Sequence, residues 1–265
     1  MRKMSLDEMK KIQLDILIDV ARFCEENGIR YYLTYGTLLG AVRHKGYIPW
    51  DDDIDIMMPR PDYQRFLNMY NNENSNYRSL SYHSDLKYPN LFARVEDTRT
   101  IQNEKITYEN GVGVSIDIFP LDGVPEYAFS IYLRFLEVLR IVLYCRLQQI
   151  ISKKNIFKKG LSLIIMKLPF GIYKYCLNVV DKMLRLSSYD KSDKVALLVV
   201  MTREKKELFE KNMLEKTVLL EFENNCFFAP YKYDAVLKSL YGDYMKLPPV
   251  CERVPKHSFE VFYKE

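Results

Sequence analysis

The apolar positions change their period several times along the chain, and each change marks an element. After Ser5, residues Met9, Ile12, Ile16, Val20 and Phe23 recur every three or four positions, the spacing that lines one face of a helix. Ser5 and Glu8 stand in capping-box order, and Asn27-Gly28 follows the last apolar position as a C-cap. The spacing therefore predicts a long scaffold helix. Residues 30–34 and 53–58 are short β-prone runs, and Pro61 with Asp62 opens a second helix to about residue 71. The polar run Asn71 to Asn76 predicts a loop. Strand-like runs follow at 79–83, 91–96, 100–105 and 112–119. Strands interleaved with helices predict an α+β or α/β core on a mixed sheet, and no internal repeat interrupts it.

Beyond residue 126 the pattern changes. Residues 127–186 are rich in aliphatic and aromatic side chains and carry eleven Lys or Arg against two acids, Glu137 and Asp181. This predicts a helical, basic middle segment. No uncharged apolar run in it approaches the roughly 18 residues of a spanning helix. Basic amphipathic helices lying on an anionic membrane surface are one expectation; a merely solvated basic face is the other. The expected organisation is a core at 1–125, a helical insert at 126–215 and a C-terminal segment at 216–265 that completes the core.

Composition adds mild bounds. The chain has 265 residues, 48% of them hydrophobic, ample for a core. Five cysteines (24, 145, 176, 226 and 251) are odd in number and never form a Cys-x-x-Cys pair. That suits a reducing cytosol and argues against a disulfide framework or structural zinc. Three histidines (44, 83 and 257) are too dispersed for a His-rich metal site. The N-terminus turns polar at once and lacks the apolar stretch of a signal peptide. The expected location is the cytoplasm, with peripheral contact at the inner face of the membrane as an extension. The basic segment does not resemble a nucleic-acid-binding surface.

The chemistry concentrates in Asp51, Asp52, Asp53 and Asp55, four acids within five positions of the run from Gly46 to Met58. Carboxylates this dense repel one another, and apolar, β-prone residues flank them rather than the polar ones of a solvated tail. Asp53-Ile54-Asp55-Ile56 alternates acid and aliphatic, which in a strand puts both acids on one face, about 6 to 7 Å apart at Cα. That is the carboxylate arrangement of two-metal phosphoryl transfer, with one or two Mg²⁺ ions, or Mn²⁺, as the expected cofactor. Upstream, Tyr31 to His44 reads as strand, glycine turn and helix. Gly36 supplies the turn or a close approach, Thr37 a hydroxyl and a helix cap, and the helix start offers N–H groups to a phosphate. Downstream, Asp117 lies between Ile116 and Ile118 in a second strand-like run. Asp122, before Gly123, reads as a turn residue, and Asp52 as a helper bonded to backbone.

The words Tyr-Gly-Thr-Leu-Leu-Gly-Ala-Val-Arg-His (35–44), Ile-Pro-Trp-Asp-Asp-Asp-Ile-Asp (48–55) and Ile-Asp-Ile-Phe-Pro-Leu-Asp (116–122) closely resemble the LicD family of phosphocholine transferases and fukutin-related sugar phosphotransferases. Residues 233–249 also look like the family. The similarity spans roughly 10–122 and 218–258 and leaves the middle segment unsupported. It implies a nucleotidyltransferase-like α+β fold: a mixed sheet with flanking helices. Fifteen residues separate Thr37 from Asp53, slightly more than the usual interval in such folds, so either Asp51 or Asp53 is the first metal ligand.

The resemblance further implies a reaction. Asp53 and Asp55, with Asp51 as a third ligand, hold Mg²⁺ against the diphosphate of a CDP-linked alcohol, CDP-choline being the first choice. Asp117 either completes the metal site or acts as general base toward an acceptor hydroxyl on a glycan or lipid-linked sugar, and CMP leaves. Arg43 and His44 are candidates for holding phosphate. Arg94, a polar residue in a β-like run, is a candidate phosphate or nucleotide contact. Arg253 and His257 are candidates for closing over the site. Trp50, the single tryptophan, either stacks on a base, cages a quaternary ammonium or packs beneath the loop. The rival readings are a nucleotidyltransferase attacking the α-phosphate of an NTP and a non-catalytic nucleotide-binding scaffold.

Overall fold

A computed structural model describes residues 1–70, 76–85, 87–88, 90–103, 111–126, 129–147, 167, 169–201, 205–254 and 260–264. Helix α1 (Leu6–Glu26) starts at a complete capping box: the Ser5 hydroxyl accepts from the Glu8 N–H and the Glu8 carboxylate accepts from the Ser5 N–H. It ends at Asn27, with Gly28 in the left-handed region at φ +60°. Met9, Ile12, Ile16 and Val20 are buried, as the period predicts, and Phe23 packs edge-on against Phe66 and Tyr70.

The main sheet has the order β2 (Tyr32–Leu33), β3 (Asp55–Pro59), β7 (Ser115–Gly123), β5 (Ala93–Asp97) and β4 (Tyr77–Leu80). The β3–β7 pair is parallel, and the other pairs on this path are antiparallel. The fold is thus mixed α+β, with α1, α2 (Tyr35–His44) and α3 (Arg60–Met69) contacting the central strands. Pro61 lies in the first turn of α3, as read from the sequence. At the C-terminal end of β7 the sheet continues into β8 (Lys194–Ala196), which pairs β7, and β9 (Leu208–Glu210), which pairs β8.

The run expected at 100–105 forms β6 (Thr100–Asn103) outside the main sheet, paired with β12 (Glu260–Tyr263), which also pairs β1 (Arg2–Lys3). Strands β10 (Thr217–Phe222) and β11 (Asn225–Pro230) form a hairpin whose turn residues Glu223 and Asn224 both have positive φ, the condition for a type I′ turn. The middle segment supplies α4 (Phe129–Leu147) and α5 (Phe170–Leu184), and α6 (Tyr233–Tyr241) follows the hairpin. Among the described residues no helix is long and apolar enough to cross a membrane.

Asp122 is not a turn residue. It lies in β7, about 1% exposed, and accepts two hydrogen bonds from Arg60, from Nε at 2.5 Å and Nη2 at 2.6 Å. Burial raises the Asp122 carboxyl above its ordinary range, against the opposing pull of the guanidinium.

Candidate functional site

The expected strand 53–58 begins two residues late. Residues 51–54 form a loop, with a turn closed by the Asp51 N–H on the Ile48 carbonyl at 2.8 Å, and β3 starts at Asp55. Asp53 and Asp55 therefore do not share a strand face by alternation. The turn instead lets the loop carboxylates converge, and Asp51, Asp52 and Asp53 bring ligand oxygens within 4.8 Å of one another. Asp52, expected as a helper, belongs to this cluster and is about 4% exposed. Asp51, Asp53 and Asp55 all line one open cavity of about 650 Å³.

Asp55 opens β3 directly opposite Asp117 of β7 in the parallel register. It is buried, about 8% exposed, and burial, followed by the charges of Asp53, Asp117 and Asp51, drives its carboxyl well above the usual range. Asp117 accepts from Arg94 Nε at 2.8 Å. Arg94 thus stands beside the acids as the partner of Asp117.

Helix α2 lines the same cavity through Gly36, Leu39 and Arg43. Its N-cap is Thr34, not Thr37, and Tyr35 takes the strained turn at φ +45°. Gly36 serves as a close approach: a Cβ there would sit 2.1 Å from Asp51 Oδ2. The anion against the first turn of α2 is thus the Asp51 carboxylate, favourably placed at a helix N-terminus. The Thr37 hydroxyl accepts the Asp55 N–H at 2.8 Å, tying the helix to the start of β3. Thr37→Val should leave that buried N–H unsatisfied and lower stability by about 1–3 kcal/mol, read from urea denaturation.

Cationic and aromatic groups line the same cavity. Arg43 lines the cavity and donates to the Tyr244 carbonyl at 2.8 Å. Burial, followed by the charge of Arg253, lowers its pKa. Trp50 is half-buried in the same cavity, with the Arg253 guanidinium 5.5 Å from its ring centroid and the His44 ring edge-on at 6.4 Å. Burial, followed by Arg43, holds the His44 imidazole below its ordinary pKa. Arg253 also donates to the Pro248 carbonyl at 2.9 Å, a contact within the C-terminal segment. His257 lies outside the described residues. The C-terminal segment lines the cavity with Tyr241, Tyr244, Leu247, Pro248 and Pro249 and with the charged Asp243, Lys246 and Glu252.

Two supporting residues escaped the sequence reading. Gln13, on the buried face of α1, donates to the carbonyls of Asp52 at 3.1 Å and Ser115 at 3.4 Å, and accepts from Tyr47 Oη at 3.1 Å. Its only signal was an amide among the apolar positions of α1. Glu223, in the β10–β11 turn, accepts the Tyr47 N–H at 3.0 Å, and its carboxylate lies against Gly46, where a Cβ would force it to move.

The donor set fits a hard divalent cation. Clustered carboxylate oxygens, with no sulfur or imidazole among the grouped ligands, are the chemistry Mg²⁺ or Mn²⁺ takes. The elevation of the Asp55 carboxyl marks negative charge that such an ion would compensate.

Residues 28–131 match the family model described as LicD/FKTN/FKRP, nucleotidyltransferase domain. Over 270 residues, covering 99% of both chains, the sequence is 32% identical to the lipopolysaccharide cholinephosphotransferase LicD of Haemophilus influenzae. A 32-residue stretch, 12% of this chain and 6% of the relative, is 56% identical to the human ribitol 5-phosphate transferase FKRP. An uncharacterized protein of Rickettsia typhi is 40% identical over 62 residues, 23% of this chain and 20% of its own length.

Proposed function

The chain belongs to the LicD family of phosphotransferases, and on that premise we propose that it moves a phosphoalcohol, phosphocholine first among the candidates, from a CDP-linked donor to a hydroxyl of a glycan or lipid-linked sugar, releasing CMP. The carrying observation is that Asp51, Asp53 and Asp55 line one cavity together with Arg43 and Trp50. A diphosphate donor needs both halves: acids to hold a cation on its phosphates, and a cationic and aromatic wall for the rest of the molecule.

Asp51, Asp53 and Asp55 are the residues that would hold Mg²⁺, with Asp52 and Asp117 adjoining them. When bound, the ion neutralises these carboxylates and polarises the donor's phosphoryl oxygens. Asp117, oriented by Arg94, accepts the proton of the acceptor hydroxyl. The acceptor oxygen bonds to the phosphorus that bears the alcohol, the bond from that phosphorus to the oxygen of CMP breaks, and CMP departs with the electron pair. Arg43 offsets charge that develops on the phosphates. Trp50, with Arg253 over its ring and His44 at its edge, gives the same cavity an aromatic surface for the donor's base or its alcohol.

The test is CMP release from a panel of CDP-alcohols, with Mg²⁺ and a glycan or lipid-acceptor extract, comparing the wild type with Asp53→Asn. Metal-dependent release from one donor, lost in the variant, supports the reading. Pyrophosphate from an NTP, with no CMP from any CDP-alcohol, would replace it with nucleotidyl transfer.

A further inference from the structure

Helix α4 is apolar on two opposite faces. Leu133, Leu136 and Leu143 are buried, and the buried Arg140 beside them donates to the carbonyls of Leu198 at 2.8 Å and Met201 at 2.9 Å. At 100° per residue, Ile131, Phe135 and Val138 fall on the other side, where they are 72%, 54% and 55% exposed. Helix α5, packed against α4, repeats the arrangement. Its Tyr173, Leu177, Val180 and Leu184 are buried, while Ile172 and Tyr175 are exposed. A helix facing only water puts charged and polar residues where these lie.

The charges are one-sided. Among the described side chains of the two helices, the exposed charged ones are Arg134, Lys174 and Lys182, all basic. The acids are withdrawn: Asp181 is buried and bonded to Tyr82 and Arg185, and Glu137 is half-buried. The start of α4 is also linked to the helix that ends at the cleft. Lys205 Nζ, near the N-terminus of α4, donates to Ser130 Oγ at 3.3 Å, and the neighbouring Lys206 carbonyl accepts from Ser239 Oγ at 2.8 Å in α6, the helix whose last residue, Tyr241, lines the cavity.

We infer that the α4–α5 pair docks on an anionic lipid surface. Ile131, Phe135, Val138 and Tyr175 enter the headgroup region, while Arg134, Lys174 and Lys182 meet lipid phosphates. Charge selects this occupant over a second copy of the chain, because two such basic faces repel. Docking would bring the cleft to a membrane and favour an acceptor carried on lipid. The inference does not depend on which group is transferred, since binding is measured without turnover.

The test is co-sedimentation of the full chain with phosphatidylcholine vesicles, either pure or containing about 30% phosphatidylglycerol. The wild type should bind the anionic vesicles, release at high salt and ignore the neutral ones. Ile131→Glu combined with Phe135→Glu should weaken binding at least about tenfold, and Arg134→Glu with Lys182→Glu should weaken it comparably. Neither pair should move the thermal midpoint, because all four side chains are exposed. No binding to anionic vesicles, or equal binding by all three proteins, would overturn the inference. So would concentration-dependent self-association in sedimentation velocity that the Ile131→Glu/Phe135→Glu protein lacks, which would assign the face to a second copy.

Discussion

Asp55→Asn should lower phosphoalcohol transfer by at least about 10³-fold, some 4 kcal/mol of transition-state stabilisation, while raising the thermal midpoint of the metal-free protein. Both effects have one cause. Asp55 is buried opposite Asp117, with Asp53 and Asp51 nearby, and these charges add to burial in raising its pKa. Asn keeps the shape and removes the charge, so the metal-free cluster repels itself less and the divalent cation loses a ligand. The native state holds the Asp55 proton more tightly than the unfolded chain does. Metal-free stability should therefore fall as pH rises through the carboxylate range and beyond, and Asp55→Asn should flatten that slope. Melting curves with and without Mg²⁺ across pH, alongside initial rates, read all three effects. A variant that keeps wild-type activity, or loses it together with its fold, would contradict this assignment.

Arg60→Ala should be the costliest single change to stability, about 3–5 kcal/mol. Arg60 and Asp122 are both buried, joined by two short hydrogen bonds between the start of α3 and the end of β7. Deleting the guanidinium leaves a carboxylate without its cation inside the core and removes its packing over Tyr63. Arg60→Met with Asp122→Leu should recover most of the loss, because an apolar pair has no charge to desolvate. Urea denaturation of the single and double variants gives the comparison. A double variant no more stable than Arg60→Ala would show that packing, rather than stranded charge, sets the cost.

What could be read in advance followed from local periodicity. The capping box and apolar stripe of α1 specified it to its ends, and Pro61 located α3. The acids were visible because dense carboxylates among isoleucines have few structural uses. Their geometry was not visible, because alternation suggested a strand through Asp53 while the turn at 48–51 bends the loop and delays β3 to Asp55. Contacts between remote segments left no local trace. Asp122 read as a turn acid because its partner, Arg60, lies 62 residues upstream. Gln13 and Glu223 brace the acidic loop from α1 and from the β10–β11 turn, and neither stands in a motif. The β1–β12–β6 sheet joins the two ends of the chain, and of its three short strands only β6 was announced by its residues.

The most direct test of the central claim is where the phosphorus goes. ³¹P NMR of the purified protein with Mg²⁺, the preferred CDP-alcohol and a defined acceptor should show CMP and one new phosphodiester linking alcohol to acceptor, with no free phosphoalcohol. An acceptor bearing CMP, with phosphoalcohol released, would place the attack on the nucleotide phosphorus and contradict the account.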